Sequence, residues 1–484
     1  MQALKYRTIE TAKKAELAQF DIIEAREEWR PKIHITPPYG LLNDPNGFCF
    51  LNGRYHLFYQ WYPFGTFHGM KHWYHVTSDN LITWHGQGCK ISPIESYESH
   101  GAYSGAAMVE DGNAYLFYTG NIKNGDARNA NQCVAVLNDS GEVTKSRANP
   151  VIKSVPEGYT GHVRDPKVIK RENGYYMLLG AQREKDLSGC LIVYFSTDMT
   201  DWVLKGELEL NTSDDFVTGY MFECPDLLSV DGHEVLIFSP QGVEPDGTRF
   251  HNRYNVVYCV GAMNWQTLSF TVEHWDELDR GFDFYAPQTL ANAPGKQTLV
   301  AWAGTDEHLP SEKHGWINCL TLARELSIKN GKLSQYPNPL LSSIKNSSSV
   351  SELGSYGKIK LESLSFALSL NLNEQQNTII KLVSDCGSVL LFSVDYKLKT
   401  ITLDRSNYDH HGDDYAYGAV RQCRFDHVIN SVDFICDESI LEIYINDGEQ
   451  VFTSLFFPES TSHYLDMSSL DESNIDIKLK YLTL

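Results

Sequence analysis

Three carboxylates in this 484-residue chain, Asp44, Asp165 and Glu223, sit where chemistry could be done. Each stands just ahead of a short apolar run, in Asn43-Asp44-Pro45-Asn46-Gly47, Arg164-Asp165-Pro166 and Glu223-Cys224-Pro225-Asp226. Two carboxylates, one donating a proton and the other acting as nucleophile or base, are the machinery that cleaves a glycosidic bond. Taken singly, each reads as a turn or strand-end carboxylate that caps backbone N–H groups. Taken together they point to a site, because the layout around them recurs.

Five segments share that layout, beginning at Asp44, Ser104, Asp165, Glu223 and Asp283, with intervals of 60, 61, 58 and 60 residues. In each, a short apolar strand leads through a turn into a second strand rich in aromatic and β-branched residues. The turns are Asn52-Gly53, Asp111-Gly112, Asn173-Gly174, Asp231-Gly232 and Pro294-Gly295, and the first four are dipeptides favoured in two-residue hairpins. Ser78–Trp84, Asn138–Val143 and Ser196–Trp202 form a second echo, read as outer hairpins. A fixed period built from hairpins marks a radial repeat, and ~60 residues per unit leaves room for long loops on one face. The expected fold is all-β: a five-bladed β-propeller. Residues at one phase of the repeat lie around the axis at one end, so the three carboxylates should meet in one pocket.

Length and texture place further elements around that propeller. A chain of 484 residues is too long for one core. A helix is expected over 4–29, with Ile9, Ala12, Phe20 and Ile23 on one stripe, Thr8 or Thr11 as cap, and Pro31 as stop. It should pack on the outside of another domain, away from catalysis. Strand-like runs recur about every ten residues from 355 onward, the pattern of a β-sandwich. The expected domains are a helical extension at 1–30, the propeller at 31–335, a polar linker at 336–354 and the sandwich at 355–484, a support for the propeller and a contact surface for a homodimer.

Net charge of −21 argues against nucleic acid or an anionic membrane as partner. The ten cysteines form no CxxC pair and read as free buried thiols in a reducing compartment. No His/Cys cluster has ligand spacing on one element, His410-His411 reads as a polar loop, and neither a metal nor a cofactor is expected. The N-terminus lacks an apolar core of signal-peptide length and no run could span a membrane, so a cytoplasmic location is expected.

These motifs resemble those of glycoside hydrolase family 32, the invertases, fructanases and sucrose-6-phosphate hydrolases, over nearly the whole chain. Besides the three motifs above, Tyr103-Ser104-Gly105, Phe282–Gln288 and Arg324-Glu325-Leu326 look like family signatures. The resemblance implies Asp44 as nucleophile toward C2 of a fructosyl unit and Glu223 as acid and then base, with carboxyls ~5–5.5 Å apart. It implies Asp165, steadied by Arg164, as holder of fructose hydroxyls. Leu41, Leu42, Asn43, Gln60, His68, Tyr103, Ser104, Tyr285 and Trp302 would complete the substrate site. Arg164 and turn amides should keep Asp44 and Asp165 ionised, leaving the proton to Glu223.

Two positions depart from the family pattern: His68 stands where Trp is frequent, and Ala323 where Pro is usual. The first places His68 and Lys71 where they could meet a phosphate on glucose O6, so the implied substrate is sucrose or sucrose 6-phosphate. Two other readings fit a five-bladed propeller: an inverting arabinan or xylan hydrolase, and a sugar-binding protein without catalysis.

Overall fold

The structure, a computed structural model, describes residues 5–125, 127–213, 216–217, 219–304, 308–337, 351–352, 357–372, 375, 377–408, 410–411, 417–467 and 475–482. Five antiparallel-built sheets follow one another from Gly40 to Tyr336, each led by a strand near the common axis. These leading strands are Gly40–Leu51, Ala107–Glu110, Tyr159–Arg171, Met221–Val230 and Tyr285–Thr289. The turns at Asn52-Gly53, Asp111-Gly112 and Asp231-Gly232 take positive φ at both residues, as the hairpins require. Two six-stranded sheets then form the sandwich, around a core that includes Phe366, Phe392, Phe434 and Phe452. The pair Ser351–Glu352 joins the sheet that contains the last strand, through Leu479 and Lys478. The serines at 347–349 of the expected linker lie outside the described residues.

Bonds between neighbouring blades run around the axis. Gly105 N donates to Asn46 Oδ1, Asp165 N to Thr119 Oγ1, Cys224 N to Asp165 Oδ2 and Thr289 N to Asp226 Oδ2, at 3.0–3.1 Å. Ala291 N donates to Phe48 O at 2.9 Å, joining the last blade to the first. Trp316–Ile317 also pairs in parallel with Gly40–Leu41, a second seam between the same two blades.

The N-terminal helix is much shorter than expected. It covers Lys14–Glu24 and buries only Phe20, which stacks on Tyr39 at 4.0 Å between centroids. Residues 9–11 form a single 3-10 turn, and Thr8 makes no side-chain cap. Tertiary bonds override helical propensity here: Met70 N donates to Lys5 O at 2.7 Å and Ile9 N to His72 Nε2 at 3.1 Å. The segment is therefore laid along the first blade.

The sandwich is joined to the propeller by buried ion pairs. Arg405 Nη1 meets Asp283 Oδ2 at 2.8 Å, and Arg324 Nη2 reaches Glu442 Oε2 at 3.3 Å and Thr453 Oγ1 at 2.7 Å. Asp283 therefore leaves the axial site that its place in the repeat suggested. Two of the signature motifs, around Asp283 and Arg324, serve this junction. No disulfide joins the cysteines among the described residues, and all except Cys89 and Cys386 are buried. No described helix is long and apolar enough to cross a membrane.

Candidate active site

A cavity of about 370 Å³ opens at one end of the propeller axis, with Asp44, Asp165 and Glu223 on its floor. β-Bulges on the leading strands bring them there. Between Arg164 and Lys167, Glu223 and Asp226, and Tyr285 and Gln288, three steps along the leading strand face two on its partner. The residue opening each bulge, Asp165, Cys224 or Ala286, has φ of 66°, 47° or 49°. Pro166, Pro225 and Pro287 follow; lacking an N–H, they suit a place where the ladder is broken. The first blade carries the same bulge at Asn46–Cys49, with Gly47 at φ 54°, and another at Leu42–Pro45 that re-aims Asp44.

The three carboxylates thus occupy three different positions of the repeat, which corrects the expectation of one shared phase. Asp165 opens its bulge, Glu223 stands one residue before the equivalent point, and Asp44 three residues before it. On a regular strand, neighbouring positions would face opposite sides. The bulges cancel that alternation, so positions of both parities reach the cavity.

Each carboxylate has its own set of donors. Ser104 Oγ donates to Asp44 Oδ2 in a very short bond, and Asn43 Nδ2 donates to Oδ1 at 3.0 Å. Asn43 and Ser104 are joined through Gln60, at 2.5 and 2.6 Å, and Lys71 Nζ donates to Asn43 Oδ1 at 2.7 Å. Glu223 receives Arg164 Nε and Nη2 at 2.8 and 2.5 Å, Gln241 Nε2 at 2.7 Å and Tyr285 OH at 2.5 Å. His162, held neutral by burial and the nearby Arg164 charge with its pKa near 4, takes the remaining Arg164 Nη1 at 2.8 Å.

Arg164 was expected to steady Asp165. It lies 3.9 Å from that carboxylate and gives its hydrogen bonds to Glu223 and His162 instead. Burial works against the expectation that Asp44 and Asp165 stay readily ionised. Burial pushes the Asp44 carboxyl up despite Ser104 and Asn43. Burial, with Glu223 close by, pushes Asp165 up to about 7 despite Arg164. Desolvation outweighs the donors because the cavity floor is shielded from water and three acids share it.

Most of the expected site residues line this cavity: Asn43, Gln60, His68, Tyr103, Ser104, Arg164, Tyr285 and Trp302. Leu41 and Leu42 do not. Both are fully buried in apolar clusters, Leu41 with Trp316 and Ile317, and Leu42 with Phe284 and Trp302. Their place beside Asn43 suggested the site, but strand pleating turns them into the packing on either side. Sequence reasoning missed Gln241 and His162, which bond Glu223 and Arg164 respectively, and Tyr254 in the wall. Gln241 ends the strand paired with that of Glu223, so the hairpin register could have found it. It also missed Lys5, Tyr6, Lys123 and Arg128 at the mouth, where no periodic signal marks them.

The model for the glycosyl hydrolases family 32 N-terminal domain matches residues 34–337, and that for the family 32 C terminal matches 338–481. The sucrose-6-phosphate hydrolase of Bacillus subtilis (strain 168) is 36% identical over 492 residues, 98% of each chain. The solved structure of sucrose-6-phosphate hydrolase from Lactobacillus gasseri matches with TM-score 0.90 at 33% identity, spanning 100% of this chain and 99% of that one. A mutant GH32 beta-fructofuranosidase of Bombyx mori, solved in complex with sucrose, matches with TM-score 0.83 at 30% identity over 98% of both chains.

Proposed function

Since the chain belongs to glycosyl hydrolase family 32, we propose that it hydrolyses the β-fructofuranosidic bond of sucrose 6-phosphate and of sucrose, releasing fructose. The observation that carries this reading is the gathering of Asp44, Asp165 and Glu223 on one cavity floor with separate donor sets. The relatives support it: two are named sucrose-6-phosphate hydrolases, and a third was solved with sucrose. Neither the arabinan or xylan reading nor the non-catalytic one finds support among them.

The residues then take these roles. Asp44 attacks C2 of the fructosyl unit while the bond from C2 to the glucose oxygen breaks, and Glu223 gives that oxygen its proton. Water then loses a proton to Glu223 as its oxygen bonds to C2, the ester to Asp44 breaks, and configuration is retained. Asn43 and Gln60 orient Asp44 through the bonds described above. Asp165 accepts from fructose hydroxyls and stabilises the oxocarbenium-like transition state.

Glu223 must carry a proton to act as acid, yet all four of its contacts are donors, which suits a carboxylate. The substrate supplies the change. Fructose hydroxyls donating to Asp44 and Asp165 favour the anion at both, which leaves Glu223 as the group of the three that serves as proton donor.

His68 and Lys71, 2.6 Å apart through Nδ1 and Nζ, flank the side where glucose departs. The charge of Lys71 favours a phosphorylated leaving group. Steady-state comparison of sucrose, sucrose 6-phosphate, raffinose and inulin tests the whole reading. The expected result is fructose release, with the highest kcat/KM on sucrose 6-phosphate. Equal values for sucrose and its phosphate would remove the phosphate claim, and no fructose from any of the four would remove the activity.

A further inference from the structure

The cavity mouth is built partly from a segment that lies outside the propeller. Lys5 and Tyr6 line it, facing Lys123 and Arg128 of the long hairpin formed by Asn113–Asn124 and Ala127–Leu137 in the second blade. The segment is docked along its length. Lys5 O accepts from Met70 N at 2.7 Å, the Tyr6 ring meets His100 edge-on at 4.8 Å, and Arg7 lies 4.0 Å over Phe64. His100 Nδ1 also accepts from Lys123 N at 3.2 Å, so one side chain ties the segment to the hairpin.

Charge at this mouth runs against the rest of the molecule. The chain has a net charge of −21, yet among the described residues the only carboxylates lining the cavity are Asp44, Asp165 and Glu223 on its floor. Arg164 is committed to Glu223, and Lys71 to Asn43 and His68. Lys5, Lys123 and Arg128 form no ion pair among the described residues, and Arg128 instead lies 5.8 Å over the Tyr103 ring. Three cations with no carboxylate partner among the described residues, around one opening in a strongly acidic protein, form a seat for a compact multivalent anion.

We propose that residues 5–7 form the outer wall of the leaving-group subsite, and that Lys5, with Lys123 and Arg128, binds the phosphate of the departing sugar phosphate. This rests on the reading of the cavity as a β-fructosidase site and locates its selectivity. The reacting carboxylates lie on the floor, so a phosphate held at the mouth places the sugar ring between them. Selectivity then resides at the mouth, in the segment ahead of the propeller and the long hairpin of the second blade, and the catalytic floor stays common to both substrates.

The test is the ratio of kcat/KM for sucrose 6-phosphate to that for sucrose, in the wild type, Lys5→Ala, Lys5→Arg and the double variant Lys123→Ala/Arg128→Ala. Lys5 is exposed, so its replacement leaves the core untouched. The ratio is expected to fall about tenfold or more in Lys5→Ala and in the double variant, through KM for the phosphorylated substrate, and to recover in Lys5→Arg. Inhibition by glucose 6-phosphate should weaken in parallel, with inhibition by glucose little changed. A wild-type preference for sucrose 6-phosphate that persists within about twofold in both alanine variants would overturn this assignment alone. A wild-type ratio near one would overturn it together with the phosphate reading on which it stands.

Discussion

Asp165 is the residue whose protonation the cavity controls most visibly. Burial raises its carboxyl to about 7 against the pull of Arg164, so the ordinary carboxylate behaviour is lost at the place where a charge is needed. Below that value Asp165 binds a proton and can no longer accept from both a fructose hydroxyl and Cys224 N. The expected consequence is a kcat/KM that falls as pH drops below about 7. The acidic limb of kcat should lie at lower pH, because bound hydroxyls favour the anion. Both parameters flat between about pH 5 and 8 would contradict the assignment. Cys224 fits the same picture: its thiol is buried beside Asp165 and Asp44, its pKa is pushed well up, and it stays a neutral packing group.

At the scale of the element, bulge and blade edge decide where the carboxylates point. Gly180 shows how little room the arrangement leaves. It pairs with Arg164, and a Cβ placed there would lie 1.8 Å from Phe222 O, next to Glu223 on the adjoining blade. Gly180→Ala must therefore push the third and fourth blades apart. A loss of about 1–3 kcal/mol in stability is expected, with a larger proportional loss in kcat than in affinity, measured by denaturant unfolding and steady-state kinetics. Unchanged values in both would mean that the close approach is not needed.

The same elements separate what could be read in the sequence from what could not. Hairpin dipeptides at a fixed interval were enough to reveal the blades, because turn chemistry is local. Asp44, Asp165 and Glu223 stood out through their Pro-containing motifs. Their offsets within the repeat did not, since a bulge is visible only as a register shift against a partner strand. Leu41 and Leu42 were misplaced for the same reason. Asp226, the other carboxylate of the third motif, is buried between Lys167 Nζ at 2.9 Å and Thr289 Oγ1 at 2.8 Å, joining three blades. Lys5 and Tyr6 were hidden because tertiary bonds, and no periodicity, place them.

At the scale of the whole molecule, the chain leading into the first blade is anchored on the sandwich. Asp437 accepts from the backbone N–H groups of Lys32, Ile33 and His34 at 2.9–3.1 Å, and His34 Nδ1 meets it at 2.8 Å. Burial alone would lower the His34 pKa, but Asp437 and Glu442 outweigh it and raise the value from 6.5 to about 9. A raised histidine stabilises the fold fully below about 6.5, and that contribution is lost as pH rises through about 9. His34→Asn should therefore unfold more easily than wild type near pH 6, with the gap narrowing by pH 10. A gap that stays constant over this range would argue against a charged His34. Because the anchored segment continues into Asn43 and Asp44, the sandwich helps hold the site from a distance.

The claim on which the rest stands is that Asp44 becomes covalently bound to fructose while Glu223 serves the leaving group. The most direct measurement is mass analysis of Glu223→Gln mixed with a fructoside bearing a good leaving group. Such a substrate needs no proton donor to form the intermediate, and the variant lacks the base that hydrolyses it. The account predicts an adduct of one anhydrofructosyl unit on the peptide containing Asp44. An adduct on the peptide containing Asp165, or rapid turnover of that fructoside with no adduct, would contradict it.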